Sequence, residues 1–220
     1  MNHELIIAIP MKSPVLAKTR LAENLSVMQR QQLAIGLFEH TVAFFRQTYP
    51  EFPTIVVTAS QQVAQIATSL AAYVLDEKVE NGLNNAANLA KNWAMQNKFQ
   101  ALLIVPADIP VLQKSEMDNL FQLSKRYAVV IVESVHGGTN ALLISPPNSL
   151  VFQYGKNSAK AHATLAKRTQ LDYYQLQCRH LSRDIDTLPD LIALSSVLPN
   201  DCAWHTTHLP SCIPQNNHMA

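Results

Sequence analysis

The residues Ala101-Leu102-Leu103-Ile104-Val105 form an unbroken apolar run that ends at Pro106-Ala107-Asp108-Ile109-Pro110. A run this short and apolar at every position suits a strand covered on both faces rather than one with a wet side. Leu5 to Ile9, stopped by Pro10, and the β-branched Thr54-Ile55-Val56-Val57-Thr58 read the same way. Between such runs lie helical stretches. Ser26 is placed to cap a helix to about Gln47, with Leu33, Leu37, Phe44 and Phe45 along one face. Further helices are expected over Gln61 to Leu70, Asn84 to Asn97, Ser115 to Arg126 and Ser158 to Arg168. A last helix has Thr187 as its cap, Pro189 in its first turn, and Leu191, Leu194 and Leu198 on its buried side. Shorter strands are expected at Tyr73 to Leu75, Val129 to Val132, Ala141 to Ile144 and Tyr173 to Leu176. This alternation predicts an α/β fold with a mostly parallel, doubly wound sheet, in one domain over 1–198 with a tail at 199–220.

Composition narrows the chemistry. Glycine occurs five times in 220 residues, where average usage of about 7% gives roughly fifteen. Gly36, Gly82, Gly137, Gly138 and Gly155 are not spaced as a P-loop or a dinucleotide-binding loop requires, so both common phosphate cradles are excluded. Apolar residues make up 48% and charged residues 15%, which fits a filled core rather than disorder. Seventeen Lys and Arg against sixteen Asp and Glu leave a net charge of +1, so no overall field draws nucleic acid or an anionic membrane. No apolar run nears the roughly 20 residues of a membrane span. The leading apolar run is too short for a secretory signal, and three cysteines late in the chain give no disulfide framework. The expected compartment is the cytoplasm.

In an open parallel sheet, ligands bind beyond the carboxyl ends of the strands, which selects particular loops. After the first strand, Lys12, Lys18 and Arg20 could clamp a polyphosphate, or could form a solvated basic loop. Asp108 ends a buried strand, where a carboxylate is costly unless a partner such as Mg²⁺ compensates it. Asp184 and Asp186 would share one side of an extended stretch and could complete a metal site; alternatively they cap the last helix. Thr139 and Ser158 bring hydroxyls, and Gly137, Gly138 and Gly155 bring backbone freedom, around the Ala141 strand. A second phosphate could sit there, or these could be a hairpin turn and an ordinary cap. His162, one turn into the following helix, is expected to pack or face solvent rather than act as a base.

Taken in order, these segments resemble a known family. Ile9-Pro10-Met11-Lys12, Ala17-Lys18-Thr19-Arg20-Leu21, Asn81-Gly82-Leu83-Asn84, Pro106-Ala107-Asp108-Ile109-Pro110, Gly137-Gly138-Thr139-Asn140-Ala141-Leu142, Tyr154-Gly155 with Ser158 and His162, and Asp184-Ile185-Asp186-Thr187 are similar to the CofC guanylyltransferases of coenzyme F-420 biosynthesis. The resemblance implies the three-layer α/β/α nucleotidyltransferase sandwich shared with the MobA-like molybdopterin-guanylylating enzymes. Those relatives carry a glycine-rich loop after the first strand; here that loop has no glycine. It further implies GTP as donor and a phosphorylated three-carbon acid as acceptor: 2-phospholactate, phosphoenolpyruvate or 3-phosphoglycerate. The GMP-linked product would pass to a downstream transferase, and a homodimer is compatible with the family.

By the same resemblance, Lys12, Lys18 and Arg20 hold the triphosphate, while Gly82 and Asn84 lie near base or ribose. Thr139, Gly155 and Ser158 grip the acceptor, and Asp108 with Asp184 and Asp186 holds Mg²⁺. Two other readings stay open: another nucleotidyltransferase of this fold acting on molybdopterin or a sugar phosphate, and a catalytically silent nucleotide-binding module. In the tail, Cys202, His205, His208 and Cys212 are zinc-compatible ligands without a known finger spacing, and a loosely packed tail is the expectation.

Overall fold

In the computed structural model, which describes residues 4–197, the β-branched and apolar runs form one seven-stranded sheet. Its strands are β1 (Leu5–Pro10), β2 (Thr54–Thr58), β3 (Tyr73–Asp76), β4 (Ala101–Ile104), β5 (Val129–Glu133), β6 (Thr139–Ile144) and β7 (Tyr173–Leu176), in the order β3-β2-β1-β4-β6-β5-β7. Every pairing is parallel except those of β6, which runs antiparallel to β4 and β5. The reason is local. Ser134 to Gly138 close a tight turn between β5 and β6, and so short a connection reverses the chain. The helices are α1 (Val27–Thr48), α2 (Gln61–Ser69), α3 (Gly82–Gln96), α4 (Lys114–Leu123), α5 (Ser158–Arg168) and α6 (Leu188–Leu194).

Alternation along the strands divides the core into two layers. Ile7, Ile9, Val56, Leu103, Val130 and Leu143 face Phe38, Phe45, Val63 and Met117 of α1, α2 and α4. Their neighbours Ile6, Ala8, Ile55, Leu102, Ile131 and Leu142 face the alanines of α3 and α5. Ala86, Ala87, Ala90 and Ala94 are all buried, and such small side chains let α3 sit close on the sheet. Each fully buried Leu, Ile or Phe contributes roughly 1.5–3 kcal/mol, so these two faces hold most of the stabilisation. A third cluster joins Leu21 and Leu25 to Leu33 and Leu37 of α1 and to Ile185, Leu191 and Leu194, fixing the last helix beside the loop after β1. The expected three-layer α/β/α sandwich is what forms.

Element ends shift by a few residues from expectation, each for a visible reason. Helix α3 begins at Gly82 rather than Asn84, so Gly82 and Leu83 belong to its first turn. Helix α4 ends at Leu123, because the chain turns over Ser124 to Tyr127 into β5. The stretch after β1, which has no helical stripe, folds into two single 3₁₀ turns, Pro14–Leu16 and Thr19–Leu21. Ser26 caps α1 through a capping box with Gln29, and Thr187 does so for α6 with Asp190. Leu198 and the tail cluster Cys202, His205, His208 and Cys212 lie outside the described residues. Among those described, no helix is long and apolar enough to cross a membrane.

Candidate active site

Order reverses between β1 and β4, and the loops leaving their carboxyl ends converge there. The antiparallel sense of β6 brings its first residues, Thr139 and Asn140, to the same edge. In the β4–α4 loop, buried Ala107 and Ile109 anchor the backbone on both sides of Asp108, whose side chain is partly exposed. The Asp108 carbonyl accepts the Ile185 amide at 3.2 Å, stitching in a second loop. Ile185 is fully buried, so its neighbours Asp184 and Asp186 both turn the other way, as the alternation argument expects. Carboxylate oxygens of Asp108, Asp184 and Asp186 come within 4.8 Å of one another. Burial first, and then the Asp108 charge, push the Asp184 carboxyl above its ordinary range, against the pull of Asn140 Nδ2 at 3.1 Å. The capping alternative for Asp184 and Asp186 fails, because Thr187 and Asp190 supply the cap of α6.

The cations divide their work. Lys18 adopts a left-handed conformation (φ 53°) that turns its side chain inward, where it is 5% exposed. Its Nζ donates to Asp108 Oδ2 at 2.7 Å and to the Ile185 carbonyl, and lies 3.7 Å from Asp186 Oδ1. Arg20 is exposed and donates from Nη1 to Asp186 Oδ2 at 2.8 Å. Lys12 stands apart from this cluster, exposed in the wall of a cavity of about 350 Å³ that also includes Lys18, Asp108, Asp186, Gly82 and Glu77. Two of the three expected clamp residues therefore meet the acid cluster directly, and the third faces the space beside it. Sequence reasoning missed what holds this loop: buried Arg30 of α1 donates from Nη1 to the Ala17 carbonyl at 2.9 Å.

A second cleft, of about 580 Å³, opens on the other side of the acids and is lined by Thr139, Gly155, Ser158, Asp184 and Arg20. Asp108 and Asp186 border both spaces. Gly155 has φ +144°, which a side chain would strain, and nothing lies within 4 Å of where a Cβ would stand. Ser158 is the first residue of α5, and its Oγ meets Thr139 Oγ1 at 2.9 Å. His162 is fully buried beneath this pair. Its Nε2 accepts the Gln153 amide at 2.9 Å, so its hydrogen sits on Nδ1 and is donated to Thr139 Oγ1 at 3.1 Å. Burial lowers the His162 pKa to about 4, and the ring is neutral near pH 7. Thr139 keeps its own proton and one lone pair for Ser158 and for whatever fills the cleft.

The Asn84 amide is engaged by the backbone of the facing loop. It accepts the Tyr154 N–H at 2.8 Å and donates to the Tyr154 carbonyl at 2.9 Å, and Asn84 lines neither space. Gly82 does line the cavity beside Lys12. Two supports gave no sequence signal. Asp190 accepts His136 Nε2 at 3.0 Å and the amides of Asp186 and Thr187 at 3.2 and 2.8 Å, tying the β5–β6 turn to the Asp186 loop. Glu116 of α4 accepts three consecutive amides, Arg179, His180 and Leu181, at 2.8, 3.0 and 2.8 Å, holding the approach to Asp184.

The mostly parallel sheet, with its acids and cations at the switch point, superposes on solved nucleotidyltransferase structures. A protein from Desulfovibrio desulfuricans described as a nucleotide-diphospho-sugar transferase superposes with TM-score 0.69 at 16% identity, covering 88% of this chain and 87% of its own. A nucleotidyl transferase from Methanothermobacter gives 0.63 at 12% identity, covering 89% and 97%. The chain belongs to the family described as guanylyl transferase CofC like, whose model matches residues 5–197. A 3-phospho-D-glycerate guanylyltransferase from Colwellia psychrerythraea is 40% identical over 190 residues, 86% of this chain and 90% of that protein. A 2-phospho-L-lactate guanylyltransferase from Methanocaldococcus vulcanius is 31% identical over 85% of this chain and 82% of its own. A phosphoenolpyruvate guanylyltransferase from Conexibacter woesei is 31% identical over 86% of each.

Proposed function

We propose that this protein transfers GMP from GTP to the phosphate of a three-carbon phospho-acid, 3-phospho-D-glycerate before 2-phospho-L-lactate or phosphoenolpyruvate. The observation that carries this reading is the shared border: two spaces, one beside Lys12 and one beside Thr139 and Ser158, meet at Asp108 and Asp186. An acceptor phosphate oxygen attacks the α-phosphorus of GTP, the bond from that phosphorus to the bridging oxygen of the β-phosphate breaks, and pyrophosphate leaves. No general base is required, since the phosphate is already ionised near neutral pH. The protein's task is to hold two anions in line. Lys12 holds the triphosphate from its cavity wall, and Arg20, bordering the acceptor cleft, reaches phosphate oxygens there. Lys18, spent on the acids, keeps three crowded carboxylates from repelling both substrates. Thr139, Ser158 and the Gly155 backbone grip the acceptor.

The donor set fits Mg²⁺: three carboxylates within 4.8 Å, one of them raised first by burial and then by its acidic neighbours, are the hard oxygen ligands that ion prefers. When bound it supplies positive charge against the phosphate oxygens. The preference for 3-phosphoglycerate follows the relative at 40% identity. The GMP-linked acid would be consumed by a second transferase, and the cytoplasm remains the expected compartment. Pyrophosphate release with GTP and each acid in turn tests the assignment. We expect turnover with at least one, and none after Asp108→Asn, with the thermal unfolding midpoint kept within a few degrees. Release seen only with molybdopterin or a sugar phosphate would favour another enzyme of this fold, and a fully active Asp108→Asn would remove the metal assignment.

A further inference from the structure

We propose that Glu77 reads the guanine base, so that preference for GTP is set by one buried carboxylate at the far end of the nucleotide cavity. This deepens the guanylyltransferase reading and rests on the 350 Å³ cavity being its nucleotide half. Glu77 follows β3, whereas Asp108 follows β4. In the order β3-β2-β1-β4 they are three strand spacings apart, roughly 14 Å at about 4.8 Å per spacing. That is the reach of an extended nucleotide from α-phosphate to the outer edge of its base. The two ends also differ in kind. Lys18 bonds Asp108 at one end, while Glu77, beyond the end of β3, would repel phosphate at the other. Polarity alone orients the nucleotide, base towards Glu77.

The carboxylate itself is half committed. Glu77 is 8% exposed, and its Oε1 accepts the Asn81 amide at 3.2 Å and Asn85 Nδ2 at 3.1 Å. Among the described residues Oε2 has no hydrogen-bond partner, and it is not sealed from solvent as the Tyr154 hydroxyl is; Glu77 lines the cavity, so a ligand's donor can reach it there. Glu80 is less buried, and its Oε2 is engaged by the Ser13 amide at 3.2 Å. Leu83, Ala86 and Val57 make the neighbouring wall apolar, as a flat ring requires. Guanine offers two donors on one edge, N1–H and the N2 amine. Adenine offers a lone pair at N1, which a carboxylate repels. A site with a fixed buried acceptor rejects the ligand lacking its donor more strongly than an apolar pocket rejects an extra group.

The test measures dissociation constants of GTP, ITP and ATP for the full chain by calorimetry, wild type against Glu77→Gln. Glutamine keeps an oxygen for Asn81 and Asn85 and puts an NH₂ where Oε2 stood. In the wild type we expect affinity to fall from GTP to ITP, which lacks the N2 amine, and again to ATP. The substitution should weaken GTP by about ten- to a hundredfold, the range for a hydrogen bond to a charged group, while ATP changes by no more than about threefold. Equal weakening of GTP and ATP would make Glu77 a structural residue and overturn the proposal. If that variant does not fold, Glu77→Asp, which withdraws the carboxylate by one methylene, takes its place: a diminished GTP-over-ATP preference supports the proposal and an unchanged one overturns it. A preference that depends on Glu77, without pyrophosphate release from any acid acceptor, would instead sink the transferase reading while leaving the role of Glu77 supported.

Discussion

His162 exerts its effect through two hydroxyls that it fixes rather than through its own charge. Because Nε2 must accept from Gln153, Thr139 can only receive from Nδ1, and the hydroxyl pair at the cleft proposed for the acceptor is oriented by a ring beneath it. Thr139→Val leaves the Nδ1–H buried without a partner, which costs roughly 1–3 kcal/mol. We expect a lower unfolding midpoint together with a raised KM for the phospho-acid and little change in KM for GTP; Thr139→Ser should restore both. The ring also links stability to pH. Its folded pKa, about 4, lies below the ordinary 6.5, so the unfolded chain binds the proton more readily. Stability from this site is complete above pH 6.5 and is lost as pH falls towards 4, by about 3 kcal/mol over the full shift. Unfolding midpoints measured from pH 7.5 to 4.5 should fall less steeply in His162→Gln than in the wild type.

At the scale of elements, the acid-bearing loop before α6 is held from two sides. Glu116 gathers three amides of residues 179–181, and Asp190 gathers the amides of Asp186 and Thr187 with the His136 ring. Burial alone would raise the Asp190 carboxyl, but the bonds from Thr187 and His136 outweigh it and hold the carboxyl below its ordinary value. In Glu116→Gln one oxygen becomes an NH₂ facing an amide donor, so at least one of the three bonds is lost. The expected cost is roughly 1–3 kcal/mol. Hydrogen exchange should lose protection first at Arg179, His180 and Leu181, with protection of β1 and β4 unchanged. Uniform loss across the sheet would mean that Glu116 supports the whole fold instead.

At the scale of the molecule, what the sequence reveals is set by how local each cause is. Fully buried strands such as Thr54–Thr58 and the capped helices α1 and α6 carry their causes in their own residues, and so does Asp108 between two buried neighbours. Arg30, Glu116, Asp190 and Glu77 are spent on partners distant in the chain or on backbone amides, and nothing in their own neighbourhoods marks them. Asn84 is the case with the widest consequence, because it joins the two halves. From the first turn of α3, beside the cavity proposed for the nucleotide, both ends of its amide hold the backbone of Tyr154, next to Gly155 in the cleft proposed for the acceptor. Asn84→Ala removes both bonds, each contributing about 1 kcal/mol net. The wall of the nucleotide cavity keeps Gly82 and Leu83, so GTP should bind within about twofold of the wild type. The Tyr154–Gly155 backbone, released from α3, should raise KM for the phospho-acid by roughly fivefold or more, since a loss near 1 kcal/mol is about that factor. KM values measured for each substrate with the other saturating decide between this and a direct contact with the nucleotide, for which GTP binding would weaken and the acid's KM would hold.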